Sequence, residues 1–358
     1  MSVHKDKKTG KWYVSCRYNN WDGARKQKMK RGFETKREAQ SWEREFLQIK
    51  SSNLDMTFGA FLELYYNDRK SRIKKNTFLT KKNVIENKIL PYFKDKKMSE
   101  IKATDIIAWQ NVIMAERDEN GELHSPSYLK TIHNQISAIF NHACNFYNLT
   151  ENPASKAGNM GREQTKEMVI WTKEEYSKFA DVMMDKPQAF YAFEILYWCG
   201  LRVGELLALT PADFDFEKST LRVNKSYQRL EGEDIITDPK TPCSIRTITM
   251  PEFLRDEIKE YIGMLYSIGE NDRIFDFTKS FLHSEMRRGS KAAGVKKLTL
   301  HQLRHSHVSL LINMGFTAVA IAKRVGHESI DITYRYAHMF PSEQAEMADK
   351  LNIERGVS

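Results

Sequence analysis

Hydrophobic and polar positions change period along the chain, and each change marks a different kind of structure. Lys11-Trp12-Tyr13-Val14-Ser15-Cys16-Arg17-Tyr18 is β-rich, Asn19-Asn20-Trp21-Asp22-Gly23 offers turn chemistry, and Lys26 to Phe33 supplies a second extended run with alternating basic residues. Upstream, Lys8-Thr9-Gly10 can turn a short leading strand. The period then becomes helical: Thr35 can cap a helix that Glu38 answers three residues later, and Ala39, Trp42 and Phe46 line one face. From Thr57 an amphipathic run (Phe58, Phe61, Leu62, Leu64, Tyr65) is followed by helical patterns at 77–93, 104–117 and 126–147, with Asp105 and Ser125 near the starts. Residues 151–168 lose apolar periodicity and contain Pro153 and Gly158, which predicts an interdomain linker. Beyond it, the capping box Thr172/Glu175 opens a helical region broken by one β-rich patch at 213–249. The expected fold is α+β and multidomain: a ββ(β)α module over 1–52, an all-α domain over 55–150, the linker over 151–168, and a mainly α domain with a small antiparallel sheet over 169–358.

Composition fits a globular chain. Of 358 residues, 41% are hydrophobic and 29% charged, and no apolar run approaches the roughly 20 residues that cross a bilayer. Met1 is followed by polar Ser2, His4, Lys5 and Asp6, so a soluble, cytoplasmic protein is expected. Cys16, Cys144, Cys199 and Cys243 are far apart, match no zinc spacing, and read as reduced thiols. Charge is more telling by place than by size. The net charge is +9, and residues 1–50 alone hold fourteen Lys and Arg against six Asp and Glu. Such a head suits a polyanion, with Lys11, Arg17, Lys28, Lys30 and Arg31 among the candidate contacts. A second basic stretch, Arg69, Lys70, Arg72, Lys74 and Lys75, could track phosphates or simply solvate a helix end.

The last region carries separated basic groups that a purely structural protein would not need. In Gly200-Leu201-Arg202-Val203-Gly204-Glu205, Gly200 can end one helix, so that Arg202 falls on a turn or at the next helix start, with Glu205 one turn on to orient it. Lys240 lies in a Pro-flanked connection between extended segments. In Thr299-Leu300-His301-Gln302-Leu303-Arg304-His305-Ser306-His307, Thr299 and Gln302 can form a capping box, which puts His301 and Arg304 together near a helix N-terminus where an anion is favoured. Zinc competes for these histidines, but no carboxylate or thiolate completes a ligand set, and a phosphate is the better ligand. Finally, Gly326 permits a tight exit that presents His327, and Tyr336 follows nine residues later. Two Arg, a Lys and two His converging with a Tyr would form a phosphoryl-transfer site: cations bind the phosphate, an acid–base group serves the leaving oxygen, and a phenolate attacks.

These boxes, in this order and spacing, resemble the tyrosine recombinases, and within them the integrases of phages and integrative elements. The resemblance covers essentially the whole chain. Arg202 matches the first catalytic arginine and Glu205 its supporting acid; Lys240, before Ser244-x-Arg246, matches the β-hairpin lysine; His301-x-x-Arg304 matches the central box, Gly326-His327 the later histidine, and Tyr336-Ala337-His338 the nucleophile. Tyr334 lies two residues earlier, and the spacing from His327 and the trailing Ala-His favour Tyr336. The N-terminal module looks like an arm-binding domain and 55–150 like a helical core-binding domain.

The resemblance implies site-specific integration and excision through a 3′-phosphotyrosine, with neither ATP nor a metal. Arg202 and Arg304 would bind the non-bridging oxygens, Lys240 would protonate the leaving 5′-oxygen, His301 would assist proton transfer on the tyrosine side, and His327 would hydrogen-bond the phosphate. Expected partners are double-stranded DNA with core-type and arm-type sites, further copies forming a tetramer on DNA with the tail after Tyr336 docking on a neighbour, a host DNA-bending protein and an excision factor. Competing readings are a chromosome- or plasmid-resolving recombinase, which would not need the basic arm, a type IB topoisomerase, and a DNA-binding regulator without catalysis.

Overall fold

The computed structural model describes residues 2–6, 9–19, 25–51, 54–162, 168–239, 241–330, 333 and 336. The chain divides into two compact units, Met1–Lys166 and Glu167–Ser358.

The first unit opens with an antiparallel sheet of β1 (Val3–Lys5), β2 (Trp12–Asn19) and β3 (Arg25–Phe33), followed by α1 (Lys36–Ser51). The expected capping box forms: the Glu38 N–H donates to Thr35 Oγ1 at 3.2 Å, and the Thr35 N–H donates to Glu38 Oε2 at 3.3 Å. α1 covers one sheet face around a small core of Val14, Cys16 and Ala39, with Phe33, Trp42 and Phe46 packed against it. A bulge between Trp12 and Tyr13 lets Tyr13 pair with Arg31, and Gly32 takes the positive φ (99°) that this irregularity requires.

The remaining helices of this unit are α2 (Phe58–Lys70), α3 (Lys75–Lys88), α4 (Leu90–Phe93), α5 (Ala103–Ala115), α6 (Pro126–Tyr147) and α7 (Pro153–Ala157). Thr57 and Ser125 cap α2 and α6 through their hydroxyls. Phe58, Phe61, Phe93, Trp109, Ile136 and Phe140 form the centre of the core. The single helix expected over 77–93 is two, α3 and α4. Pro91 has no N–H to give the carbonyl of Asn87, and the helix breaks at Ile89. The stretch expected as a linker contains α7. Asn152 caps it, with Oδ1 accepting from Ala154 and Ser155 N–H at 2.8 and 3.1 Å, and its Nδ2 donates to the Ser137 carbonyl on α6. Ala154 joins the helical core.

The second unit contains α8 (Lys173–Met183), α9 (Pro187–Cys199), α10 (Val203–Leu206), β4 (Phe214–Asp215), β5 (Thr220–Val223), β6 (Ser226–Leu230), β7 (Glu233–Thr237), β8 (Arg246–Thr249), α11 (Glu252–Met264), α12 (Lys279–Ala292), α13 (Leu300–Asn313) and α14 (Ala318–Val325). The β-rich patch resolves into a three-stranded sheet, β4-β5-β8, and a separate hairpin, β6-β7. The main core runs through Tyr176, Phe193, Tyr197, Leu221, Ile248 and Leu303. A second cluster, Val308, Ile312, Ile321 and Val325, encloses Tyr336. Among the described residues, no helix is long and apolar enough to cross a membrane.

Candidate active site

Three turns at helix ends bring the predicted residues together. Gly200 closes α9 with φ 64°, a conformation that L side chains rarely adopt, and a Cβ there would lie 2.5 Å from the His307 ring. The chain therefore turns sharply and puts Arg202 at the N-cap of α10, with Glu205 at its third position. Gly326 closes α14 in the same left-handed way, at φ 68°, and presents His327. Between them, α13 carries His301, Arg304 and His305 from its first turns; its start is held by the Thr299 N–H donating to Gln302 Oε1 at 2.7 Å.

Glu205 is the hub of the cluster. Its buried carboxylate accepts the Arg202 N–H at 2.9 Å, Arg202 Nη1 at 2.8 Å, and Arg246 Nη1 and Nη2 at 3.2 and 2.9 Å. Burial alone would raise its pKa, but hydrogen bonds and charge from Arg246, then the Arg202 N–H and the Arg202 charge, hold it below the ordinary value. It stays a carboxylate. Arg202 also donates to the Gly326 carbonyl at 3.2 Å, and Arg246 Nε to the Arg324 carbonyl at 2.9 Å. Arg304 is buried, and donates to the Gly200 and Val325 carbonyls at 2.8 and 2.5 Å. The arginines thus cap the carbonyl ends of α9 and α14, where helix dipoles favour a cation. Burial, then the charge of Arg202, pushes Arg304 down to about 9, so it remains charged at neutral pH. Arg202, Arg246 and Arg304 against one carboxylate leave the cluster with excess positive charge, which a phosphate would compensate.

The histidines stand apart in environment. His327 Nδ1 meets Thr333 Oγ1 at 2.8 Å, and burial followed by Arg304 and Arg202 pushes its pKa down to about 3. His301 is lowered by desolvation, then by Arg304 and Arg202. Its ring meets the His305 ring edge-on, with centroids 4.8 Å apart. His305 Nδ1 in turn hydrogen-bonds the Tyr336 hydroxyl, their ring centroids 5.7 Å apart. His307 points elsewhere, accepting from Arg324 Nε at 3.2 Å beside Gly200. The histidines therefore do not converge as a ligand set; among the described residues there is no group of three or more His, Cys, Asp or Glu placed to hold a metal.

The structure brings Arg202, Glu205, Arg304, His327 and Tyr336 into one unit, with His301 one ring behind His305. Lys240 and Tyr334 lie outside the described residues. Sequence reasoning missed His305 as the tyrosine's partner and Arg246 as the second arginine on Glu205. Arg246 stands 41 residues from Glu205, so no local pattern announces the pair.

Strand pleating divides the basic residues of the arm. Lys28 and Lys30 pair across from Cys16 and Val14 and so share the face that α1 covers, where Lys30 Nζ sits 4.9 Å from the Trp42 ring centroid. Arg17, Arg31 and Tyr13 lie on the other, open face, with Arg31 over Tyr13. Lys11 is paired with Glu34 at 2.7 Å. In the helical part, Arg69 and Lys70 end α2 and Lys74 and Lys75 open α3, while Arg72 is exposed between them.

An arginine cluster beside a phenol, within this α+β framework, marks an enzyme of tyrosine-based phosphoryl transfer. Residues 170–343 match the phage integrase family, 57–114 the phage integrase N-terminal SAM-like domain, and 2–48 the arm DNA-binding domain. The chain is 28% identical to the ICEBs1 integrase of Bacillus subtilis, covering 86% of both chains, and 27% identical to a XerC-like tyrosine recombinase of Caldanaerobacter subterraneus, covering 89% and 90%. Its fold is similar to that of the Tn1549 transposon integrase in complex with a circular intermediate DNA, with TM-score 0.66, 22% identity and coverage of 84% and 99%. It is also similar to lambda integrase in a tetramer bound to a Holliday junction, with TM-score 0.59, 19% identity and coverage of 92% and 96%. The chain belongs to the tyrosine recombinases, as an integrase with an N-terminal arm-binding domain.

Proposed function

We propose that this site-specific DNA recombinase works through Tyr336 as its nucleophile, with Arg202, Arg304, Lys240, His301 and His327 as its phosphate-handling groups. The observation that supports this most is Arg304: a buried cation held on main-chain carbonyls, in a cluster with more arginine than carboxylate, within the unit that encloses Tyr336. Arg202 and Arg304 bind the non-bridging oxygens of a DNA phosphate and stabilise the charge that builds as phosphorus becomes five-coordinate. Tyr336 Oη bonds to phosphorus and the 5′-oxygen leaves with a proton from Lys240, giving a 3′-phosphotyrosine. The other strand's 5′-hydroxyl then reverses the step. His327 hydrogen-bonds the phosphate, and His301 belongs to the proton path on the tyrosine side.

The domain arrangement in this reading is an arm-type DNA-binding domain over 1–52, a core-binding domain over 55–150, a connection over 151–168 and the catalytic domain over 169–358. Arg69, Lys70, Arg72, Lys74 and Lys75 contact the core-site backbone, and the open face of the arm sheet reads a more distant site. Exchange of two duplexes needs four active sites, so the working form is a homotetramer on DNA. Simultaneous arm and core contacts require bent DNA, hence a host bending protein, and direction requires an excision factor. The work is done in a bacterial cytoplasm, at the nucleoid.

The test is a suicide substrate: labelled DNA carrying the attachment site, incubated without metal or nucleotide and analysed for a denaturant-stable adduct. An adduct mapping to Tyr336 is expected. Mapping to Tyr334 would move the nucleophile, and binding without adduct on a verified site would favour a non-catalytic regulator.

A further inference from the structure

His305 is not among the residues expected to do chemistry, yet its ring reaches the tyrosine. It lies one helical turn beyond His301 on α13 and next to Arg304. Val308 and Ile312, three and seven residues further on, continue the same stripe and pack the Tyr336 ring with Ile321 and Val325. Tyr336 is 2% exposed, so its hydroxyl needs protein partners, and His305 Nδ1 hydrogen-bonds it. Resting on the nucleophile assignment above, we propose that His305, rather than His301, holds the Tyr336 hydroxyl and takes its proton as the phenol oxygen attacks phosphorus.

The groups facing His305 are His301, Arg304 and Tyr336, with His327 close enough to interact. Burial first, then His301 and Arg304, pushes its pKa down to about 4, so in the free protein the imidazole is neutral. Neutral is what the task needs. An unprotonated Nδ1 accepts the phenol proton's hydrogen bond and fixes the other tautomer, with the proton on Nε2. A phosphate brought in by the arginines adds negative charge beside the ring and favours the imidazolium that forms on proton transfer. The step balances: the Tyr336 O–H bond breaks and its proton goes to Nδ1, the O–P bond forms, the P–O5′ bond breaks, and Lys240 protonates the leaving oxygen. On rejoining, the imidazolium returns the proton to Tyr336. His301, stacked edge-on behind His305, acts through it.

A substrate with a 5′-bridging sulfur separates the two ends of the reaction, because a thiolate leaves without a proton. Full-length wild type, His305→Ala, His305→Asn and Lys240→Ala are compared on that substrate and on ordinary DNA, with affinity and thermal midpoint measured alongside. We expect His305→Ala to slow adduct formation roughly 10²-fold on both substrates, the size of a general base, whereas sulfur relieves the Lys240→Ala defect. Asparagine can accept the hydrogen bond but no proton, so His305→Asn should bind DNA normally and stay slow, with the acid limb of the pH–rate profile flattened. If His305→Ala fails to fold, His305→Asn carries the test. Wild-type rates in the variants, or a His305 defect that sulfur relieves, would overturn the assignment while adduct at Tyr336 still supports the recombinase reading. A wild type that forms no adduct would sink both.

Discussion

Arg246 lays both terminal guanidinium nitrogens on the Glu205 carboxylate, at 3.2 and 2.9 Å. The same carboxylate orients Arg202, so one buried anion holds a strand residue and the N-cap arginine of α10 in register. Glu205→Gln replaces an acceptor by an amide that turns a donor toward two guanidinium groups. Breaking one member of a buried ion pair costs about 3–5 kcal/mol, and urea unfolding of the variant should show a loss of that size. Adduct formation should fall with it, since Arg202 loses its anchor. A loss below about 1 kcal/mol would mean that the cluster is solvated and the pair carries little.

Gly326 gives a second handle on the same cluster. A Cβ there would lie 2.9 Å from the Cys243 carbonyl and 3.1 Å from the Arg246 side chain, besides forcing alanine to φ 68°. Gly294 has a similar φ, 65°, with nothing within 4 Å, and isolates the conformational cost. Gly294→Ala should destabilise by about 1–2 kcal/mol and leave the cleavage rate alone. Gly326→Ala should cost more, and should slow adduct formation by displacing His327 and Arg246. Equal effects of the two changes on stability and rate would show that the close approach at Gly326 is absorbed without moving the site.

The arm sheet should treat its basic residues unequally. Neutralising Arg17 and Arg31, on the open face, should weaken arm-site binding and reduce the slope of log K against log salt by about 2, leaving core-site cleavage intact. Lys30→Gln should instead lower the stability of the N-terminal module, because Lys30 packs over Trp42. Anisotropy titrations across a salt series distinguish the two. A Lys30 effect on the salt slope as large as that of Arg17 would refute the division by faces.

The helices and caps of this fold were legible because they are local. Thr35/Glu38, Thr172/Glu175 and Thr299/Gln302 announce helix starts within four residues, and the glycines at 200 and 326 announce ends. Pro91 also lay in plain view, but the hydrophobic period runs through it and hides the break at Ile89. The family boxes pointed to Arg202, Arg304, His327 and Tyr336, which all lie in the second compact unit, and the roles given to them remain those proposed above. What sequence could not supply was orientation. His301 and His305 sit on the same helix face, and the Tyr336 chain settles on His305 through packing with Val308 and Ile312. Likewise, strand pleating sorts Lys28 and Lys30 away from Arg17 and Arg31, which the alternating basic pattern alone does not reveal.

Desolvated histidines, His307 buried and His305 and His327 half-buried, make stability depend on pH in a definite direction. His305, His307 and His327 are pushed down to about 4, 3 and 3, in each case by burial first and then chiefly by neighbouring charged or titratable groups, from an ordinary value of 6.5. Between pH 7 and 5 the unfolded chain takes up protons at these positions and the folded chain does not, so stability falls as pH falls through that window. For His307 alone, on the order of 2 kcal/mol is lost by pH 5. Glu194 works the other way: burial pushes it up to about 7, so the folded state is the one that binds a proton, and its contribution is lost as pH rises toward 7. His133 and His301, also lowered by burial, act in the same direction as these three, and Glu257, also raised by burial, acts with Glu194, so that acid is on balance destabilising. Urea midpoints at pH 5, 6 and 7.5 should drop steadily toward pH 5. His307→Gln, whose amide oxygen can still accept from Arg324 Nε, should flatten that slope, and Glu194→Gln should steepen it. A wild type whose midpoint is level across the window, with neither variant changing it, would mean that these histidines are protonated in the folded protein.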